Sequence, residues 1–167
     1  MRPGFGQFQV ASEEYLLFAQ QFGATDILFN TPLIPSDGGK WQLQDLVKLR
    51  LRVEQFGMKL SALENVPTSF YDHIMLNGPR RDEQIENMIA TVRNMARAGI
   101  PIFGYNWMPS HVWRTPPALI RGGALATAYD HALGSKYPLT HGREYSEEEM
   151  WQNLEHWIKI ITPVAEE

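Results

Sequence analysis

The sequence predicts an α/β fold of the TIM-barrel type, made of about four βα units, half of a (βα)8 barrel. Three observations carry that prediction. Helix-like and strand-like segments alternate along the chain. They change over at a repeated punctuation, in which a glycine closes a helix, a short apolar run follows, and an asparagine ends the run. One stretch, residues 81–109 (RDEQIENMIATVRNMARAGIPIFGYNWMP), contains the whole pattern and sets polar and aromatic residues where its strand ends.

Each observation has a physical basis. Alternating helices and strands imply parallel strands joined by right-handed crossovers. Glycine is favoured just past a helix end because it turns left-handed without Cβ strain. Short apolar runs suit strands buried on both faces. In parallel α/β proteins the C-terminal strand ends are where chemistry is built.

Residues 5–9 read as a first short strand. Ser12 caps a helix running to about Phe22, and Phe22-Gly23 leads into a strand over residues 26–30 (DILFN). The second helix spans residues 43–56, with Leu46, Leu49, Val53 and Phe56 on one stripe. Phe56-Gly57 precedes a strand ending at Glu64-Asn65. The third helix, residues 82–98, carries Ile85, Met88, Ile89, Val92 and Ala96 at helical spacing. Ala98-Gly99 precedes a strand over residues 100–106. A fourth helix opens on Ser146-Glu147-Glu148-Glu149, which fits a capping box. Its stripe is Trp151, Leu154, Ile158 and Ile161, and Pro163 is expected at or near its end.

The order is β-α-β-α-β-α-β-insertion-α. The insertion, at about 110–145, breaks the rhythm and leaves from a strand's C-terminal end. It is rich in Pro, Gly, His and aromatic residues, which favours a functional loop over a disordered one. A complete barrel takes about 250 residues. The 167 residues are therefore expected to be the first half of one, with unpaired strand edges and an apolar inner face that favour self-association or a missing C-terminal half.

Composition bounds the function. With 44% hydrophobic and 20% charged residues this is an ordinary globular chain. A net charge of −4 argues against nucleic acid or an anionic membrane as partner. There are no cysteines, hence no thiolate metal site and no disulfide framework. The N-terminus lacks signal-peptide character, and no apolar run is long enough to span a bilayer, so a cytoplasmic location is expected. The five histidines, His73, His111, His131, His141 and His156, do not fall at the paired helical spacing of a metal motif.

The candidate chemistry sits after the strands. Glu64 can bind a sugar hydroxyl or move a proton; the alternative is a carboxylate bonded to loop amides. Asn106 offers donors and an acceptor beside the aromatic faces of Tyr105 and Trp107. In the insertion, Trp113 supplies a ring, and Arg114 and Arg121 can grip a carboxylate, although solvation alone explains most loop arginines. His111 follows a strand end and is placed with them.

These residues, read in order, resemble the mannonate dehydratase family, whose barrel is xylose-isomerase-like. The resemblance rests on Glu64 with Pro67, Ile74, Leu76, Pro79, and Arg81-Asp82. It runs on through Ile85-Glu86-Asn87, Thr91, Arg93-Asn94, Ala96 and Ala98-Gly99-Ile100, and ends with Tyr105-Asn106, Met108-Pro109 and Trp113. It implies dehydration of the sugar acid D-mannonate to 2-keto-3-deoxy-D-gluconate in glucuronate and other hexuronate catabolism, with a divalent metal, Mn2+ or Fe2+. The family's metal ligands and acid and base lie in its second half, so no catalytic or metal residue is assigned here. Glu64, Asn106, Trp113 and Arg114 carry over as pocket residues; Arg114 is offset by one residue from the family's arginine. His111 and Arg121 are placed by position alone. Two other readings stand beside this one: a sugar isomerase or epimerase on the same barrel, and a non-catalytic half-barrel that serves as an association module.

Overall fold

The computed structural model describes residues 1–167. Strands β1 (Gly4–Phe8), β2 (Asp26–Asn30), β3 (Lys59–Glu64) and β4 (Ile102–Gly104) form one parallel sheet in sequence order. Parallel neighbours need crossovers. Helices α1 (Glu13–Gln21) and α2 (Leu43–Glu54) supply the first two. A short helix α3 (Asp72–Leu76) and the long α4 (Arg81–Arg97) supply the third.

Local chemistry sets the helix ends. The Ser12 hydroxyl accepts from the Tyr15 amide at 3.3 Å, and Glu13 and Glu14 complement the helix dipole. At Gly23 and Gly99 the backbone turns left-handed, with φ of 77° and 76°. The next residues then donate back across the helix end, Ala24 N to Ala19 O and Ile100 N to Met95 O, each at 3.0 Å.

The last helix, α6 (Glu147–Glu166), differs from expectation at its start. Ser146 caps it by accepting from the Glu149 amide at 3.1 Å. The reciprocal half of the capping box is absent, because both Glu149 oxygens are taken by the Arg143 guanidinium. A charge-assisted bidentate pair outcompetes a single backbone donor. The helix ends three residues after Pro163, which stands near its end as expected. Pro163 lies on the exposed side of the last turn, where water can serve the Lys159 carbonyl that loses its partner.

One core lies between the sheet and its helices. Ile27, Phe29, Leu60 and Leu63 pack there against Leu16, Leu46, Val53 and Met88, all but excluded from solvent. Trp41 is fully buried against Phe70, ring centres 5.8 Å apart. Asn94 on α4 donates to the Trp41 carbonyl at 2.9 Å and so ties the loop before α2 to the third helix.

The strands are not buried on both faces as their apolar runs suggest. Strand order follows sequence order, and right-handed crossovers then put every helix on one side of the sheet. The other side, with Gly4, Gly6, Leu28, Ala62 and Ile102, opens on a hollow of about 450 Å³. Ile102 is 56% exposed there. β4 is also shorter than the run 100–106, leaving the ladder after Gly104.

The insertion is not irregular throughout. It holds an antiparallel hairpin, β5 (Thr115–Leu119) and β6 (Leu125–Ala128), and a one-turn helix α5 (His131–Gly134). Pro116 and Pro117 hid the first of these strands. The pairing passes from Thr115↔Ala128 to Ala118↔Ala126, so the prolines fall where the ladder skips. No helix is long and apolar enough to cross a membrane.

At the N-terminal edge of the sheet Asp26 is buried. It accepts from the Ser61 hydroxyl and from Thr25 Oγ1 at 2.7 Å, and pairs with Arg2 at 3.0 Å. The Ser61 and Thr25 hydroxyls, and then Arg2, hold its carboxyl below the ordinary aspartate value, against the opposing effect of burial. A carboxyl lowered in the folded state stabilises fully above its unfolded value, and that contribution is lost as pH falls through the folded value. Acid unfolding curves of the chain and of Asp26→Asn should therefore converge at low pH; an unchanged gap would contradict this role.

Candidate functional site at the strand ends

The C-terminal edge of the sheet gathers a polar group from three strands. Register places Asn30, Glu64 and Gly104 side by side. Gly104 keeps the space beside Glu64 free, since a Cβ there would stand 3.4 Å from Glu64 Cα. β1 reaches the group through a bulge. Its register shifts between Gly6 and Phe8, and the extra residue, Gln7, has φ 71°. Bulges re-aim side chains. Here Gln7 Nε2 points across β2 and donates to Glu64 Oε2 at 3.4 Å, a long bond.

Two more residues turn left-handed just past their strands, Thr31 at φ 48° and Asn65 at φ 62°. Thr31 is β-branched, so this conformation is strained, and such strain clusters at functional sites. The turns also carry the ladder one step further. Thr31 N donates to Glu64 O at 2.9 Å, and Asn65 N to Gly104 O at 2.8 Å. Between them sits the Asn30 amide. Its Oδ1 accepts from Thr31 Oγ1 at 3.1 Å and from Asn65 Nδ2 at 3.2 Å.

Asn106 follows β4 on the next strand. Its Oδ1 accepts from the Tyr71 hydroxyl at 2.8 Å. Burial pushes the Tyr71 phenol above its ordinary value, which keeps it a protonated donor. Asn106 is thus held through α3's entry turn, and Glu64 through β1.

The four insertion residues fall elsewhere. His111 is exposed, at φ 56°, in a turn where its amide donates to Met108 O at 3.0 Å. Trp113 stacks edge-on with Tyr137 at 5.3 Å and Tyr129 at 6.3 Å, beside a separate hollow of about 600 Å³ that His141 and Arg143 also line. Arg114 is exposed just before β5, and Arg121 sits in the turn that closes the hairpin. The structure therefore brings Glu64 together with Gln7, Asn30 and Asn65, and bonds none of the four insertion residues to that group. Asn30 and Asn65 were visible in sequence as the asparagine that ends each strand. Gln7 had no signal, because a bulge follows from pairing.

A metal finds no ligand set here. No three side chains among His, Cys, Asp and Glu converge closely enough to hold one. Glu64 stands among amides and a hydroxyl, a neutral hydrogen-bonding set and not the oxygen and nitrogen cage that a transition metal takes.

The chain matches the family model described as D-mannonate dehydratase (UxuA) over residues 8–137. A curated mannonate dehydratase of Streptococcus pneumoniae is 30% identical, over 95% of this chain and 49% of its own length. That of Thermotoga neapolitana is 29% identical, over 87% and 48%. The crystal structure of mannonate dehydratase from Streptococcus suis serotype 2 aligns with a TM-score of 0.79 and 26% identity, over 99% of this chain and 50% of that one. The chain spans about half the length of the curated relatives it matches. A match that runs from the last residue of β1 past the hairpin, over most of the sequence, makes this chain a member of the D-mannonate dehydratase family.

Proposed function

We propose that the chain supplies substrate-binding strand ends for a mannonate dehydratase, a carbon–oxygen lyase acting on D-mannonate in cytoplasmic hexuronate breakdown. The observation that carries this is the convergence of Gln7, Asn30, Glu64 and Asn65 at the C-terminal edge of a sheet whose strands β2, β3 and β4 lie within the family match. Such edges are where parallel α/β folds bind ligands. Asn106 adds a further contact just past β4, and the insertion, whose His111, Trp113, Arg114 and Arg121 stand apart from the Glu64 group, contributes contacts to the rest of the substrate, the arginines toward a carboxylate.

Dehydration of D-mannonate removes the C2 proton and expels the C3 hydroxyl. The first step builds charge on the carboxylate, and the second needs an acid. This chain's own part is to bind and orient the hydroxylated chain. The Mn2+ or Fe2+ implied by the family resemblance has no ligand set in these residues. On this reading its ligands, with the acid and base, belong to the part of the relatives' length that the chain does not span. The four βα units, with every helix on one face, support half of a (βα)8 barrel across 1–167.

Calorimetric titration of the folded chain with D-mannonate tests the reading. Saturable binding is expected; its absence would contradict the proposal. The half-barrel also leaves the outer edge of β4 unpaired beside an apolar hollow of about 740 Å³ between α4, β4 and α6, where Ile100, Phe103 and Ile161 are among the lining residues. Unpaired edges and apolar patches drive association. Sedimentation should show self-association that grows with concentration, and a monomer at every concentration would count against the half-barrel.

A further inference from the structure

We infer that the Gln7–Asn30–Glu64–Asn65 group binds the hydroxyl-bearing end of a polyhydroxy acid, leaving its carboxylate to point away. The inference rests on the proposed function and adds an orientation for the substrate.

Charge sets that orientation. Glu64 is the one ionisable side chain of the four, and no Lys, Arg or His side chain bonds to any of them. A substrate carboxylate placed here would face Glu64 with no cation between, and like charges at close range repel. A hydroxyl suits the same place. It donates once and accepts as well, so it needs an acceptor and a donor side by side. Glu64 accepts only one long bond, from Gln7 at 3.4 Å, and keeps acceptor capacity for hydroxyl donors. Asn30 offers the complement. Its Oδ1 is filled by Thr31 and Asn65, which fixes the amide and presents Nδ2 as a donor without a protein partner.

The backbone holds this pair ready. The bulge at Gln7 and the left-handed turns at Thr31 and Asn65 place three side chains before any ligand arrives. Gln7 is common to two adjoining hollows, one of about 450 Å³ with Glu64 and one of about 380 Å³ with Asn30. An extended polyol can therefore span the two hollows and meet Glu64, Gln7 and Asn30.

The test follows the side-chain amide resonances of Gln7, Asn30 and Asn65 in the folded 167-residue chain. Three probes are added separately: D-mannonate, the neutral polyol D-mannitol, and propionate, a carboxylate without hydroxyls. D-mannonate and D-mannitol should both shift these amides, and propionate should not. Glu64→Gln, which keeps shape and removes charge, should weaken D-mannitol binding about tenfold, the loss of one charge-assisted bond. Propionate shifting the three amides would overturn the orientation. D-mannonate that binds while leaving them unmoved would overturn this site and leave substrate binding to Asn106 and the insertion residues. No D-mannonate binding by a folded chain would overturn both.

Discussion

Trp157→Ala is expected to cost about 3–5 kcal/mol of folding stability, the range for deleting a buried aromatic ring. Trp157 is 2% exposed and is the main anchor of α6. Its ring meets Tyr105 edge-on at 6.3 Å and closes a small apolar space with Tyr71, Ile74, Met88 and Trp107. Removing it leaves a cavity in the layer that also holds Tyr71, the donor to Asn106. α6 keeps a polar tie to α3, Asn153 Nδ2 to Met75 O at 2.9 Å, which cannot replace the lost contacts. Domains of this size are stable by about 5–15 kcal/mol. Denaturant unfolding should place the variant near the edge of folding, and a loss below about 1 kcal/mol would show that α6 is anchored elsewhere.

Phe29→Ala should cost a similar amount, about 3–5 kcal/mol, for a different reason. Phe29 is fully buried in β2, the strand that both β1 and β3 pair with, and it packs edge-on against Phe8 at 5.9 Å. It precedes Asn30, so the same cavity sits beneath the centre of the proposed site. Leu28→Ala is the internal comparison. Leu28 faces the open side of the sheet and is half-buried, so its loss should be much smaller. Equal losses at the two positions would mean that the open face is covered in solution, as by a second copy of the chain.

The contrast between Leu28 and Phe29 also marks how far the sequence could be read. DILFN is apolar throughout its middle, so the run announced a strand without saying which side the helices cover. Helices were legible nearly to the residue where a serine or glycine marked the end, as at Ser12 and Gly99. Pro163 marked the neighbourhood of the last helix's end but not its final residue, because a proline on the water-facing side lets the helix run a few residues further. The hairpin was invisible because its signals, Pro116 and Pro117, are those of a loop. At the candidate site, Glu64 and Asn106 could be read from their place after apolar runs. Gln7 enters through a bulge in the β1–β2 register, and Asn30 acquires its role from Thr31 and Asn65, so neither could be weighed before the strands were paired.

On the proposed function, these residues bind D-mannonate at the strand ends and do not contain the dehydration chemistry. The most direct test incubates the folded chain with D-mannonate and Mn2+, follows binding by calorimetry, and assays 2-keto-3-deoxy-D-gluconate in the same sample. Saturable binding that does not depend on Mn2+ is expected, with no product above background. Product formed by this chain would contradict that expectation, because the 167 residues would then build a metal centre and a proton-transfer pair that the arrangement of their side chains does not provide.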